Sequence, residues 1–175
     1  MSRMFSFLIF LILDCYLFLN TTAYLSKGCD PGWLPYGDHC YFMVKQKKTW
    51  YDAKSNCDSM GSYLVRVDDI EENEWIKIQI RSTVFSGEWC NTWVSPLTVR
   101  MATWTGGVDF GHEGKWKWES DGKSVAVQGF LRHQPDNAHN KEHCLEFYGS
   151  GSVASYKWND RPCNYKTYSL CEKSR

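Results

Sequence analysis

Apolar residues run almost unbroken from Phe5 to Leu13 and, after Asp14, from Cys15 to Leu19, just ahead of Thr21-Thr22-Ala23. The run follows Arg3, is interrupted by an acid and falls short of the ~20 residues that a membrane-spanning helix needs. Residues 1–23 therefore read as a signal peptide cut after Ala23, with no membrane insertion, and residues 24–175 as one exported domain. Beyond the leader the period changes. Turn residues Asp30-Pro31-Gly32 and Gly37 precede Cys40-Tyr41-Phe42-Met43-Val44, which predicts a short hairpin. Thr49 is placed to cap a helix carrying Ala53, Cys57 and Met60, with Gly61 as its left-handed terminator. Leu64 to Val67 reads as a strand. Asp68 with Glu71, or Asp69 with Glu72, then opens a second helix bearing Trp75, Ile76, Ile78 and Ile80 and ending near Ser82. From Ser86 to Lys141 seven glycines separate five tryptophans, and long loops with aromatic anchors are expected. Cys144 to Tyr148, Tyr156 to Trp158 and Ser169 to Glu172 predict terminal strands. Trp116 and Trp118, two apart, predict one buried and one half-exposed ring. The fold class is α+β, with two helices, small antiparallel sheets and a long loop region.

Composition narrows the function. Lys plus Arg number 20 and Asp plus Glu number 20, a balance that favours neither nucleic acid nor an anionic membrane. Export makes disulfides the natural state of the cysteines. Of eight, Cys15 leaves with the leader, so the remaining number is odd and at least one is free or intermolecular. Between Gln134 and Asp160, five side chains stand out: Gln134 and Asp136 around Pro135, Glu142, and Asn159 and Asp160 after Trp158. Three carboxylates and two carboxamides form an all-oxygen donor set, which suits calcium and not zinc. His139-Asn140-Lys141-Glu142-His143 lacks the Glu that a zinc protease carries after its first His. No serine sits in a Gly-x-Ser-x-Gly setting, so nothing points to an enzyme.

Over roughly Cys29 to Cys171 the chain resembles the C-type lectin-like domains. The resemblance rests on Cys29-Asp30-Pro31-Gly32-Trp33, Cys40-Tyr41-Phe42, the helix with Cys57, Glu72-Asn73-Glu74-Trp75-Ile76, Trp116-Lys117-Trp118, Gln134-Pro135-Asp136, Cys144, Trp158-Asn159-Asp160, Cys163 and Cys171. Within that family, Gln134 to Ala138, Glu142 to Glu146 and Cys171 to Lys173 are most similar to perlucin-like molluscan lectins.

The resemblance implies three disulfides, Cys29 with Cys40, Cys57 with Cys171 and Cys144 with Cys163, and leaves Cys90 as a free thiol or the bridge of a homodimer. It implies that Gln134, Asp136, Glu142, Asn159 and Asp160 bind one calcium ion, Ca2+, and with it two sugar hydroxyls, and that Pro135 is cis. Gln-Pro-Asp implies galactose or N-acetylgalactosamine. The stacking Trp of strong galactose binders is absent from Asn137-Ala138-His139-Asn140-Lys141, so His139 is expected as a partial platform and mannose as a cross-ligand. A second calcium is not expected, since Asn137 and His143 stand where the family has acids; Asp68, Asp69, Glu71 and Glu72 are explained by a helix start. The implied function is that of a secreted lectin for glycans of non-self or cell surfaces. The alternative is a matrix protein that organises calcium carbonate, against which the lack of acidic runs counts.

Overall fold

The computed structural model describes residues 28–87, 100–126, 129–150 and 156–175, and the chain divides into two compact units. The proposed leader and Cys90 lie outside the described residues. The smaller unit comprises the described residues up to Cys40 with Ser174–Arg175, and the larger is Tyr41–Lys173. In the smaller unit Trp33 N–H donates to the Asp30 carbonyl at 3.0 Å, with Gly32 at φ 88° making the turn that leads into β1 (Leu34–Tyr36). The Cys29–Cys40 disulfide closes this segment.

The larger unit takes up β2 (His39–Lys48), which ends at Thr49. The Thr49 hydroxyl accepts from Asp52 N–H at 3.2 Å and starts α1 (Trp50–Ser59). Trp50, Ala53 and Cys57 are buried, a spacing that puts them on one face. Gly61, at φ 65°, stops the helix: its N–H donates to Asp58 and that of Ser62 to Cys57, so the last carbonyls are satisfied by a Schellman turn. Strand β3 (Tyr63–Leu64) is shorter than expected, because Arg66 N–H leaves the ladder and donates to the Glu172 carboxylate at 2.9 Å. Of the two proposed caps, Asp69 is the one in place: it accepts from Glu72 N–H, while Glu72 reaches back to Asp68 N–H, both at 2.7 Å. Helix α2 (Ile70–Gly87) buries Asn73, Ile76, Lys77 and Ile80 and runs past Ser82, where the sequence suggested a stop. Ser and β-branched residues are only mildly unfavourable in helices and do not terminate one.

The main departure from expectation lies in the middle. Arg100–Val108, anticipated as loop, is the nine-residue strand β4. It lies between β6 (Cys144–Ser150), to which it is antiparallel, and β8 (Thr167–Ser174), to which it is parallel through Thr103 opposite Tyr168 and Trp104 opposite Ser169. In place of separate small antiparallel sheets, the larger unit has one mixed sheet in the order β2-β8-β4-β6-β7 (β7, Lys157–Arg161), with β3 on β8 and β5 (Lys117–Trp118) on β4. Gly106 and Gly107, which suggested turns, are close-packing positions. A Cβ at Gly106 would stand 2.7 Å from the Leu64 carbonyl oxygen, and one at Gly107 2.6 Å from the Leu145 side chain. Trp104, Phe147, Trp158, Ile76, Ile80 and Leu170 fill the core. Trp116 and Trp118 are both buried, contrary to the alternation expected: Trp116 precedes β5 and packs on Phe130, while Trp118 packs edge-on against Trp158. Disulfides Cys57–Cys171 and Cys144–Cys163 tie α1 to β8 and β6 to the turn after β7.

Candidate cation and sugar site

Strand β7 supplies the fixed half of the site. Its Trp158 is fully buried, donates from Nε1 to Asn73 Oδ1 at 3.1 Å, and exchanges backbone hydrogen bonds of 2.8 Å with Gly129 and Leu131. Gly129 is needed there, because a Cβ would come within 3.3 Å of the indole. Asn159 and Asp160 follow on this anchored strand, opposite Glu146 and Leu145 of β6.

The other half is the turn between Leu131 and His143. The Gln134–Pro135 bond is cis, as the resemblance implied. His133, Asn137, His139 and Asn140 all have positive φ, between 42° and 68°. Positive φ is uncommon outside glycine, so four such residues in one turn carry local backbone strain of the kind that gathers at binding loops. A short 3₁₀ turn, Ala138–Asn140, places His139 at an exposed position.

Asp136, Glu142 and Asp160 each bring a carboxylate oxygen within 4.8 Å of the others. Two oxygens held by one calcium at 2.3–2.6 Å can be no more than about 5 Å apart, so the three fit a single ion. Asp160 also accepts from the N–H groups of Asp136 and Asn137, at 3.2 and 2.7 Å, and Glu142 from that of Ala138 at 3.3 Å. Burial pushes the Glu142 and Asp160 carboxyls above the usual range; these backbone donors pull the other way, and the neighbouring carboxylates push up again. A divalent cation would relieve that repulsion. Gln134 Oε1 accepts from Asp136 N–H at 3.2 Å. Asn159 is buried and donates from Nδ2 to Glu146 Oε1 at 3.0 Å and to the Asp160 carbonyl at 2.6 Å. With its nitrogen so engaged, its amide offers Oδ1 as the oxygen donor.

Several residues that shape the site escaped the sequence reading. Glu146, completely buried, orients Asn159 and accepts from Arg161 Nε at 2.6 Å. Burial pushes its carboxyl up to about 7 against the pull of Arg161. Asn137 donates its backbone N–H to Asp160, accepts from Glu142 N–H at Oδ1 (3.0 Å), and donates from Nδ2 to Glu113. Glu113 belongs to a second group that could hold a metal, with Asp109 and His143. His143 Nδ1 lies 3.0 Å from Asp109 and 3.7 Å from Glu113. One imidazole with two carboxylates is a mixed donor set, less suited to calcium than the first. Asp109 and Glu113 lie in the turns after β4, and nothing local in the sequence pairs them with His143. Of the four acids at the start of α2, Asp68 pairs with Arg66 at 2.8 Å, and Asp69 and Glu72 form the cap.

A disulfide-tied α+β fold that presents carboxylates and carboxamides around a cis-proline turn defines a binding module of the carbohydrate-recognition class. The chain belongs to the C-type lectin family: the Lectin C-type domain model matches residues 46–173. It is 36% identical over 137 residues to a perlucin-like protein of Mytilus galloprovincialis, covering 78% of this chain and 77% of that one. It is 31% identical over 154 residues to the CD209 antigen of Gorilla gorilla gorilla, covering 86% of this chain but only 30% of the relative. Among solved structures, the carbohydrate-recognition domain of the mouse scavenger receptor C-type lectin superposes with a TM-score of 0.67 at 30% identity, over 85% of this chain and 99% of that one. C-type lectin domains bind glycans, generally with Ca2+, and are not enzymes. Among the described residues no helix is long and apolar enough to cross a membrane.

Proposed function

We propose that residues 24–175 form a secreted, calcium-dependent lectin domain for terminal galactose or N-acetylgalactosamine, with mannose as a weaker ligand. The observation that carries this reading is the convergence of Asp136, Glu142 and Asp160 within 4.8 Å. Gln134 and Asn159 complete the ligand set, and bound calcium would supply Lewis acidity toward two adjacent sugar hydroxyls. Each carboxylate can accept from such a hydroxyl, and the Gln134 carboxamide nitrogen can donate to one. The order of acid and amide around Pro135 supports the galactose preference, and the lack of a Trp in 137–141 supports its looseness. His139, exposed on the turn, is the candidate platform.

Soluble protein is expected to bind a galactose-terminated glycan array in calcium and to lose that binding in chelator; a signal indifferent to chelator overturns the reading. Galactose is expected to compete better than mannose. A single site of this kind binds a monosaccharide weakly, so avidity from a Cys90-linked dimer would matter, and a non-reducing mass measurement checks for it. The equal numbers of acidic and basic residues and the absence of an acidic run favour glycan recognition over the organisation of calcium carbonate.

A further inference from the structure

Gln134 and Pro135 face two ways. Besides belonging to the cation turn, they line an open cleft of about 950 Å³ that also takes in Phe130, Lys115, Lys117 and Lys157. The volume is at the upper end of the range for ligand clefts, far more than one hexose at the cation would use. Its charge is distinctive. The chain as a whole balances 20 basic against 20 acidic residues, yet among the described residues three lysines and no carboxylate line this cleft. All three lysines are exposed. Lys157 feels Glu74 beyond the cleft, but Glu74 pairs with Lys77 at 2.7 Å. Around this basic rim lie Phe130 and the buried Trp116 ring it packs on, 6.0 Å apart, a partly apolar floor of the kind that suits a sugar ring.

We infer that this cleft is an extended subsite for an anionic glycan: with the terminal sugar at the cation site, the next sugar lies past Pro135 and presents a sulfate ester or carboxylate to Lys115, Lys117 and Lys157. The inference rests on the sugar-binding reading above and adds to it the class of ligand. Two charges of one sign in one molecule would otherwise be at odds, since the cation turn is acidic. The acids gather on the cation turn, where calcium would offset them, and the three lysines line the cleft that Gln134 and Pro135 share with that turn.

The test is calorimetric titration of the intact protein with three disaccharides, each with and without calcium: galactosyl-N-acetylglucosamine, the same sugar sulfated on its inner residue, and a galactosyl-glucuronic acid. Exposed charge pairs are individually weak, so three together are expected to give the anionic ligands roughly a 3- to 30-fold advantage over the neutral one. That advantage shrinks at 1 M salt, where the Debye length is about 3 Å. The triple variant Lys115→Gln, Lys117→Gln, Lys157→Gln, all at exposed positions, is expected to abolish the advantage and leave neutral binding unchanged. A gain with the sulfated sugar alone assigns the cleft to sulfate, and one with the glucuronide alone to carboxylate. Equal calcium-dependent binding of neutral and anionic sugars overturns the subsite while the lectin reading stands. Anionic binding that persists in chelator also overturns it, because the two ends would not then act on one ligand. Failure of every sugar, neutral included, overturns the lectin reading and the subsite with it.

Discussion

Asn137 touches both candidate metal groups at once, through Asp160 and Glu142 on one side and Glu113 on the other. Its left-handed φ of 42° lets backbone and side chain serve these three partners together. Removing such a supporting contact commonly costs about 10- to 100-fold in metal affinity. Asn137→Ala is therefore expected to weaken calcium binding by at least about 10-fold without unfolding the domain, as read by titration calorimetry alongside a thermal melt. Glu146 makes a different prediction. Its carboxyl has a reference value of 4.5 and is raised by burial to about 7 in the fold. Between those values the native state holds more protons than the unfolded one, so stability falls as pH rises through that window. The charged form costs on the order of 1–3 kcal/mol above it. In chelator, the melting temperature of the wild type is expected to drop from pH 5 to pH 7 more steeply than that of Glu146→Gln, which keeps an acceptor for Asn159 and has no proton to lose. Parallel slopes would count against burial of the carboxylate as the cause.

Among the elements, β4 decides how the strands assemble, and its two glycines are its weakest tolerance. Gly106→Ala would set a methyl 2.7 Å from a backbone oxygen that cannot rotate away. A loss of about 1–3 kcal/mol is expected from such overpacking, measured by denaturant unfolding. A neutral substitution would show that β3 and β4 are not in contact. The same glycines explain what could and could not be read from the sequence. Thr49, Gly61 and Asp69 announced both helices because capping is local chemistry, legible wherever the right side chain precedes an apolar stripe. The six framework cysteines were legible through resemblance to a family, and the convergence of Asp136, Glu142 and Asp160 was foreshadowed by their all-oxygen chemistry. Strand β4 was not, because a glycine that permits a turn and one that admits a neighbouring strand look alike until the neighbour is known. Asp109 and Glu113 were not legible either, because their value depends on His143, 34 residues from Asp109 in sequence. Glu146 escaped for a similar reason: an acid in a strand signals an exposed edge unless Asn159 opposite it and the half-buried Arg161 are known to hold it.

For the whole molecule, the Cys57–Cys171 bridge spans 114 residues and joins the first helix to the last strand. In the chain-entropy model a loop of that length is worth about 5 kcal/mol, a large share of the stability of an ordinary domain. The double variant Cys57→Ser, Cys171→Ser is expected to lower the unfolding free energy by several kcal/mol, read from a urea midpoint; a loss under 1 kcal/mol would mean that the reduced chain is already constrained. The bridge also bears on durability. Any single backbone cut between residues 58 and 133, including one in the glycine-rich stretch after β4, leaves two pieces joined by this bond. A nicked molecule would migrate as one band without reductant and as two with it, while Asn159 and Asp160 stay on the piece that also carries Glu142. Under proteolysis, the candidate site thus outlives the integrity of the chain that built it.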